Sequence, residues 1–373
     1  MLGLSLFPLL LLPFSSASVL APRNSTACNN SPSLCDKSYG EITHLGAHDS
    51  PFLRDASTDY STSGNQFYNT TVQLSAGVRL VTAQVHNNNG AWHLCHTSCD
   101  LLDAGTLESW LAEIKTWLDN NPNEVVTVLL VNSDNASAAD LNTAFEAAGI
   151  VNYAYKPTFT SPPATWPTLQ ELINAGTRMM TFVASLSSNS GAEYLMDEFT
   201  YIFENNYDVT AASNFSCQPN RPSTVENNIT TAFSSGRLPF MNHFLDSSEV
   251  LGIVEIPDVS AIDTTNGQSG TGNLLTAATT CKSQYNGRQP TFILVDFFDR
   301  GPAIATVDML NNVTDPVGRT PVPNTNSDDT SSSGSAGLAE LVSQAKSGSN
   351  PSLGNWIWVG GNWGTLLGGG VSL

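Results

Sequence analysis

The chain has 373 residues, of which 40% are hydrophobic and 13% charged, and its 33 acidic against 14 basic residues give a formal charge of −19. This composition excludes an intrinsically disordered chain, which would be less hydrophobic and more charged. It also excludes a protein that binds nucleic acid by neutralising phosphate, because such proteins carry a basic face. No repeat with a period of about 20 to 50 residues is visible, so we expect a single barrel-sized domain.

The N-terminus has the pattern of a secretory signal. Residues 1–14 are almost entirely apolar and small residues follow at 15–17, although no Lys or Arg precedes the apolar stretch. The stretch is too short to span a bilayer. Seven Asn-x-Ser/Thr sequons follow, which are the acceptors of a glycosylating compartment: Asn24, Asn29, Asn69, Asn135, Asn214, Asn228 and Asn312. We therefore expect a secreted glycoprotein.

Six cysteines in a chain with a secretory signal favour three disulfides, since such bridges persist in oxidising compartments. Six cysteines allow fifteen pairings, and sequence alone does not choose among them. Proximity favours Cys28 with Cys35, Cys95 with Cys99, and Cys217 with Cys281. Zinc is the alternative, but no second Cys or His pair follows Cys95-x-x-x-Cys99 at zinc-finger spacing.

The C-terminal region differs in composition from the rest. Residues 315–337 are rich in Pro, Thr, Asn, Ser and Gly, which predicts a linker. A short helical pattern, Leu338–Lys346, precedes small residues and an apolar tail that together resemble a GPI-anchor signal. The alternative is a Trp cluster that packs against the domain or lies on its surface. The expected organisation is a signal peptide at 1–17, an extension with a disulfide at 18–39, a barrel at 40–314, and a linker with its tail at 315–373.

Between residues 40 and 310, short β-branched runs alternate with helical patterns, which predicts an α/β fold with parallel strands. The eight predicted strands are Ile42–His48, Arg79–Val85, Trp92–His96, Val125–Val131, Met179–Ala184, Tyr201–Glu204, Phe240–Leu245 and Phe292–Phe297. The clearest predicted helices are Leu107–Asp119 and Ala138–Ala148. Eight strands match a TIM-type (β/α)8 barrel in one domain. A doubly wound open sheet is the alternative, but no Gly-rich phosphate loop follows the first strand.

Histidines cluster near predicted strand ends, where a barrel places its reactive groups. All six lie there: His44, His48, His86, His93, His96 and His243. Alternation with a period of two puts Thr82, Gln84 and His86 on one face of the second strand, and a loop between two cysteines carries His96. Two imidazoles with a carboxylate suit general acid–base chemistry, because imidazole titrates near neutral pH.

Five segments in chain order resemble the phosphatidylinositol-specific phospholipase C superfamily, and more closely the secreted fungal members of the PLC-like phosphodiesterases. They are Gly46-Ala-His48-Asp49-Ser50, Ala76-Gly-Val-Arg79-Leu, Leu94-Cys-His96, Ile114-Lys-Thr-Trp-Leu-Asp119-Asn-Asn-Pro122-Asn-Glu124, and Leu294-Val-Asp296-Phe. The resemblance spans roughly residues 40–310. It implies a distorted β/α barrel in which a substrate hydroxyl attacks phosphorus and expels the lipid alcohol.

Carried over by position, the resemblance implies four catalytic residues. His48 would take the proton from the attacking hydroxyl, and His96 would give one to the leaving group. Asp296 would orient the His48 imidazole, and Asp49 would help to orient its neighbour.

Two positions depart from the superfamily pattern. Its metal-using members carry carboxylates where this chain has Thr82 and Gln84, so we expect no calcium or magnesium site and no cofactor. Its metal-free bacterial members place an arginine where Gln84 stands, and Gln84 brings no charge to the phosphoryl oxygens. The candidates to supply that charge are Arg54, Arg300 and His86, and the expected substrate-binding set is Gln84, His86, Arg54, His243 and Arg300.

The sequence thus predicts a secreted, metal-independent phosphodiesterase or lyase that acts on a phospholipid-type head group, as a monomer with transient contact with a membrane surface. The alternative is a barrel that binds a lipid head group or a cell-surface glycan without turnover. Gln84 favours it, as does the negative charge, which disfavours an anionic membrane. A sphingomyelinase-D-like enzyme is disfavoured because its magnesium carboxylates are missing.

Overall fold

The computed structural model describes residues 27–249 and 254–323. The strands are β1 His44–Ala47, β2 Leu80–Asn88, β3 Ala91–Cys95, β4 Asp103–Thr106, β5 Val126–Asn132, β6 Met179–Ala184, β7 Leu195–Asp197, β8 Ile202–Glu204, β9 Leu238–Asn242, β10 Asp246–Glu249, β11 Val254–Pro257 and β12 Phe292–Val295. The helices are α1 Thr70–Ala76, α2 Leu107–Asn120, α3 Ala138–Ala147, α4 Leu169–Ala175, α5 Glu198–Tyr201, α6 Ile229–Ser234, α7 Ile262–Thr265, α8 Leu274–Gln284 and α9 Ala303–Asn311.

Eight of these strands form the wall of a barrel, in the order β7-β6-β5-β2-β1-β12-β9-β8. Each neighbouring pair in that order is parallel. The end strands β7 and β8 are joined along the chain by the short helix α5, and within the described residues no ladder of hydrogen bonds links them. The fold is therefore the expected single-domain barrel, and its distortion is this unpaired seam.

Side chains alternate between the inside of the barrel and its helical coat. On β2, Leu80 belongs to the inner apolar cluster while Val81 and Ala83 pack outside with the helices. The rings of Phe182 on β6 and Phe292 on β12 lie 6.2 Å apart, although three strands separate β6 from β12 along the sheet. Such a contact requires a curled sheet, so the inner cluster fills the barrel.

The central strand β1 depends on a glycine. A Cβ atom on Gly46 would lie 2.7 Å from Leu80 Cδ2 and 2.8 Å from Leu294 Cδ1, which are side chains of the two neighbouring strands. Only a residue without a side chain leaves these leucines their space. Gly46 therefore allows β1 to lie between β2 and β12, and His48 follows two residues later.

The predicted barrel strand Trp92–His96 is wrong as a barrel strand. The observed β3 pairs antiparallel with β2, and β4 pairs with β3, so both lie outside the eight-stranded wall. The cause is a two-residue hairpin turn at Asn89-Gly90, with φ of 54° and 91°. The eighth barrel strand is β7, which has only three residues and was not predicted.

The two predicted helices are confirmed as α2 and α3. The Thr106 side chain accepts a hydrogen bond from Ser109 N–H at the start of α2, and Ser137 forms a capping box with Asp140 at the start of α3. These caps satisfy backbone donors that the first helical turn leaves free.

Three disulfides are present, and their pairing is the one that proximity favours. They join Cys28 to Cys35, Cys95 to Cys99, and Cys217 to Cys281. The first lies in the extension, where the Asn29 side chain accepts a hydrogen bond from Val125 N–H at the amino end of β5. The extension therefore covers the end of the barrel that lies away from the strand carboxyl ends.

The chain stays in contact with the barrel beyond residue 314, where the sequence places the start of the linker. Val317 N–H donates to the Asn30 carbonyl, and Arg319 pairs with Asp308 at 2.6 Å. Residues 315–323 are mostly exposed, but these polar contacts tether the segment to α9 and the extension. The predicted signal peptide, the helix Leu338–Lys346, the apolar tail and Asn24 lie outside the described residues.

Two observations bear on the predicted localisation. In the described part of the chain, no helix is long and apolar enough to cross a bilayer. Of the sequons there, Asn29 is buried, whereas the others are exposed: Asn69, Asn135, Asn214, Asn228 and Asn312. The exposed sequons are accessible to a glycan, and Asn29 is not.

Candidate active site

The site lies where β1 and β12 end side by side. His48 directly follows β1, and Asp296 directly follows β12. Nδ1 of His48 lies 2.9 Å from Oδ1 of Asp296, a carboxylate that is only 1% exposed. Because a carboxylate only accepts, Nδ1 carries a proton, and in the neutral ring Nε2 is left free to accept one. This is the arrangement of an oriented general base.

A shell of polar and aromatic groups holds this pair in place. Asn65 Nδ2 donates to Asp296 Oδ1 at 3.0 Å, and Gln66 Nε2 donates to the His48 carbonyl at 2.8 Å. The Phe244 ring stacks on the His48 imidazole with centroids 3.9 Å apart. The sequence analysis missed these three residues, because loop polar residues and a rim Phe carry no periodic signal.

A single carboxylate lies between the two histidines. Oδ2 of Asp49 is 3.7 Å from Nε2 of His48 and 3.8 Å from Nε2 of His96. The Asp49 side chain is only 2% exposed, whereas those of His48 and His96 are 21% and 15% exposed. Two partly exposed imidazoles therefore face one buried carboxylate.

Gln84 connects this carboxylate to the loop that carries His96. Its Nε2 donates to Asp49 Oδ2 at 2.7 Å, and its Oε1 accepts from Thr97 N–H at 2.9 Å. The period-two prediction that Thr82 and Gln84 share a face holds, since Thr82 Oγ1 accepts from Asp49 N–H at 2.8 Å.

The two imidazoles have opposite pKa shifts. Burial disfavours the charged form of His48, but the carboxylates of Asp49 and Asp296 outweigh it and raise the pKa of His48 to about 9. Burial lowers the pKa of His96, and the nearby His48 charge lowers it further against the attraction of Asp49. At neutral pH the pair therefore holds one proton, mainly on His48.

Backbone strain accompanies both carboxylates. Asp49 has φ of 46° and Phe297, directly after Asp296, has φ of 42°. Left-handed conformations of this kind in residues other than glycine cost on the order of 1–3 kcal/mol and persist where the surroundings impose them. Here the imposing contacts are the bond from Asp49 N–H to Thr82 and the bond from Phe297 N–H to the Asn65 carbonyl.

A further acid borders the site, and the sequence analysis missed it. Asp246 opens the β10–β11 hairpin, two residues after the Phe244 that stacks on His48. Burial, together with the charge of Asp296, raises the pKa of Asp246 to about 7, and His48 opposes this shift. Its signal in the sequence was faint: a lone Asp after a strand in an acidic chain.

Three predicted substrate-binding residues lie outside this cluster. His86 Nδ1 faces Asp134 Oδ1 at 3.5 Å, and Arg300 pairs with Asp263 at 2.8 Å. His243 is fully buried, stacks on Phe215, and has Nε2 3.0 Å from the Thr265 carbonyl; burial lowers its pKa to about 4.

The prediction for His243 is corrected, because alternation at the end of β9 directs the next residue, Phe244, to the site instead. Arg300 pairs with the exposed Asp263, and its place in the substrate-binding set stays a prediction. Arg54 is half-buried, and its guanidinium makes no ion pair or hydrogen bond with the part of the chain that the structure describes. It alone of the predicted basic residues retains an unpaired charge there.

The residues at the site do not form the ligand set of a divalent cation. Both β2 side chains that would face an ion, Thr82 and Gln84, hydrogen-bond to Asp49 instead. Among the described residues, the one group of three acidic, Cys or His side chains with ligand spacing is Cys95, Cys99 and Asp103, and its cysteines are joined in a disulfide. No chemical step is therefore assigned to a metal.

His48, Asp49 and Asp296 thus lie at the carboxyl ends of parallel barrel strands, and His96 reaches them from the end of β3, outside the wall. Residues 34–311 match the family model described as PI-PLC X, and the chain belongs to this family. The family resemblance inferred from the five sequence segments is thereby confirmed.

Two curated relatives come from the fungus Arthroderma benhamiae. The PI-PLC X domain-containing protein 1 is 35% identical over 306 residues, which are 82% of this chain and 95% of that protein. An uncharacterized secreted protein is 35% identical over 300 residues, which are 79% of this chain and 66% of that protein. Among solved structures, the phosphatidylinositol-specific phospholipase C from Listeria monocytogenes aligns with a TM-score of 0.49 at 15% identity, over 75% of this chain and 95% of that one.

Proposed function

We propose that this chain is a metal-independent phosphodiesterase that cleaves a phospholipid-type phosphodiester through attack by a hydroxyl of the substrate itself. The observation that carries the proposal is the arrangement of His48 and His96 around Asp49 Oδ2, with Asp296 hydrogen-bonded to the far side of His48. A base and an acid on either side of one phosphoryl centre are what in-line displacement needs.

The reaction forms one P–O bond and breaks another. The attacking hydroxyl of the head group gives its proton to Nε2 of His48 as its oxygen bonds to phosphorus. The bond from phosphorus to the lipid alcohol breaks, and Nε2 of protonated His96 gives its proton to the departing oxygen. The products are a cyclic phosphodiester and the free alcohol, and the two histidines have exchanged one proton overall.

The pKa shifts constrain this cycle. The productive form has the proton on His96, whereas in the free site it lies mainly on His48. A phosphodiester anion bound next to His96 stabilises its charged form and so favours the productive arrangement. Substrate binding therefore helps to set the protonation state in which the reaction starts.

Positive charge for the phosphoryl oxygens comes from the protonated histidine pair and, we propose, from Arg54. Arg54 lies two residues after Phe52, whose ring contacts His96 edge-on at 5.4 Å. Arg54 is proposed because it stands in this loop next to the site and because its guanidinium makes no ion pair or hydrogen bond with the described residues. Loss of one such donor elsewhere costs about 2.7–4 kcal/mol of transition-state stabilisation.

The test is ³¹P NMR of a mixed phospholipid panel incubated with the mature protein in EDTA, and separately with magnesium or calcium. The control is the His48→Ala/His96→Ala double variant, after circular dichroism has established that it is folded. A cyclic phosphate that forms in EDTA and is absent with the double variant supports the proposal and identifies the head group. A product that forms only with metal overturns metal independence.

A second candidate is a barrel that binds a head group or glycan without turnover. Gln84 favours it, because both polar ends of this side chain are already bonded, to Asp49 and to Thr97. The absence of any product in the ³¹P experiment, together with saturable binding of a head group by calorimetry, would support this candidate over the enzyme.

The localisation proposal is secretion as a glycosylated monomer. It is supported by the N-terminal pattern, by three disulfides and by the relative named as secreted. Mass spectrometry of the protein from culture medium tests it, and we expect glycans at exposed sequons and none at Asn29. A glycan on Asn29 would contradict the buried bond from Val125 N–H.

A further inference from the structure

His96 is the one proposed catalytic residue that the barrel wall does not carry. His48 and Asp296 follow paired barrel strands, and Asp49 follows His48, whereas His96 follows β3, an arm of the hairpin that leaves the wall. β3 pairs with the wall strand β2 only as far as Leu94, and β4 pairs with β3 alone, so no ladder of the wall fixes the segment after Cys95. Contacts other than the strand ladders must therefore hold His96 within 3.8 Å of Asp49.

A disulfide and a hydrogen bond from β2 restrain the loop that carries His96. The Cys95–Cys99 disulfide closes it across a sequence separation of 4, with a Cα–Cα distance of 4.7 Å. Inside the loop, Thr97 has φ of 62° and its N–H donates to Gln84 Oε1 at 2.9 Å. The backbone bonds of His96, from its N–H to the Leu102 carbonyl and from Ser98 N–H to its own carbonyl, lie within the same hairpin. The disulfide and Gln84 are thus the covalent and the polar restraint on one imidazole.

We propose that the Cys95–Cys99 disulfide and Gln84 act together as a positioning device that fixes His96 as the general acid. This inference rests on the proposed function and deepens it. Gln84 bonds at the same time to the carboxylate between the two histidines, so it ties the loop of the acid to the residues of the base. An arginine at this position has no acceptor for Thr97 N–H, so the glutamine supplies a contact that the charged residue cannot.

If the disulfide and Gln84 hold a general acid, their loss should slow the cleavage of substrates with poor leaving groups more than that of substrates with good ones. A general acid assists the departure of an alkoxide strongly and that of 4-nitrophenolate hardly at all, since the phenolate leaves without a proton. The paired probes are the myo-inositol 1-phosphate diesters of 1-butanol and of 4-nitrophenol. Their attacking hydroxyl and head group are the same, and only the leaving alcohol differs.

The variant is Cys95→Ser/Cys99→Ser, and Cys28→Ser/Cys35→Ser is the matched control. The control bridge also closes a short loop, with a sequence separation of 7, and lies at the opposite end of the barrel. We expect the Cys95/Cys99 variant to lose about a hundredfold in kcat on the butyl diester and less than fivefold on the nitrophenyl diester, which are changes typical of losing a general acid. The control should keep both rates within a factor of two. Equal losses on the two diesters would overturn the inference.

A second readout does not depend on turnover. NMR titration of His96 in the wild type and in both variants measures whether the loop still holds the ring, and backbone relaxation measures its order. Loss of the disulfide should move the pKa of His96 back toward the ordinary imidazole value and lower the order of residues 96–98, with no change in the control. An unchanged His96 would refute positioning. A wild type that cleaves neither diester and forms no cyclic phosphate from the phospholipid panel would refute the proposed function alone.

Discussion

Gln84 Nε2 and Asp49 Oδ2 are 2.7 Å apart, and that same oxygen is the one nearest to both site histidines. Because Oδ2 of Asp49 already accepts a hydrogen bond from the Gln84 side chain, it can accept fewer hydrogen bonds from the two imidazoles. It also keeps the carboxylate buried and turned toward the rim. The second strand thus contacts, through Gln84, the carboxylate that lies nearest to both site histidines.

On the 4-nitrophenyl diester, whose leaving group needs no general acid and so does not depend on the contact of Gln84 with Thr97, Gln84→Arg should raise kcat/KM by about tenfold, which corresponds to about 1.4 kcal/mol. A guanidinium can still donate to Asp49 and adds a fixed charge beside the phosphoryl oxygens. Gln84→Met is the matched control, since it keeps the volume and loses both hydrogen bonds, and its rate should fall. Equal rates for the two variants would mean that charge at this position does not limit the reaction. Initial rates of cyclic phosphate formation decide between these results.

The rate of this reaction should depend on pH as a bell with a broad top. The histidine pair needs one proton in total, so activity falls on the acid side when both rings are protonated and on the alkaline side, near pH 9, when the last proton leaves. Asp296→Asn removes a carboxylate that stabilises the charged form of His48, so the pKa of His48 falls and the alkaline limb moves to lower pH. An alkaline limb that stays in place in this variant would rule out His48 as its origin. NMR titration of His48 gives an independent measurement.

Most of the barrel could be predicted from the sequence because buried strands and capped helices have strong local patterns. The exception was the hairpin after β2, where an apolar run ending in a histidine looked like another wall strand. The sequence Asn89-Gly90 was the available signal, because Asn-Gly is a preferred pair in two-residue turns. Both residues indeed have a positive φ. The three-residue strand β7 offered no pattern to detect, since its place in the wall is fixed by pairing with β6.

Some residues of the candidate site could likewise be predicted from the sequence, and others could not. His48, Asp49 and His96 stand in short motifs beside strand ends, and these were predictable. Phe244 and Asp246 were not, because their positions depend on the turn of the chain after β9 and on the hairpin that follows it. One residue decides which of His243 and Phe244 faces inward, and a sequence-based strand end is uncertain by more than that.

Asp246→Asn should stabilise the fold in alkaline but not in acidic solution. The pKa of Asp246 is about 7 in the folded protein and near 3.8 when unfolded, so the folded state binds the proton more tightly. Its contribution to stability is present below pH 3.8 and is lost as pH rises through 7. Asparagine does not ionise, so the variant keeps its folding stability as the pH rises. Its thermal midpoint should therefore exceed that of the wild type at pH 8 and match it at pH 3.5. The exposed Glu226→Gln serves as control, and a gain for Asp246→Asn that is the same at both pH values would contradict the assignment.

Removal of the Cys217–Cys281 disulfide should destabilise the protein more than removal of Cys95–Cys99. The sequence separations of these bridges are 64 and 4, so the first restrains the unfolded chain far more. Loop-closure entropy gives about 4 kcal/mol for the long loop and about 2 kcal/mol for the short one at 25 °C. Guanidinium unfolding of the two Cys→Ser double variants, with the slopes compared to establish two-state behaviour, measures both losses. Equal losses would indicate that the native contacts of each bridge, and not the loop that it closes, determine its contribution.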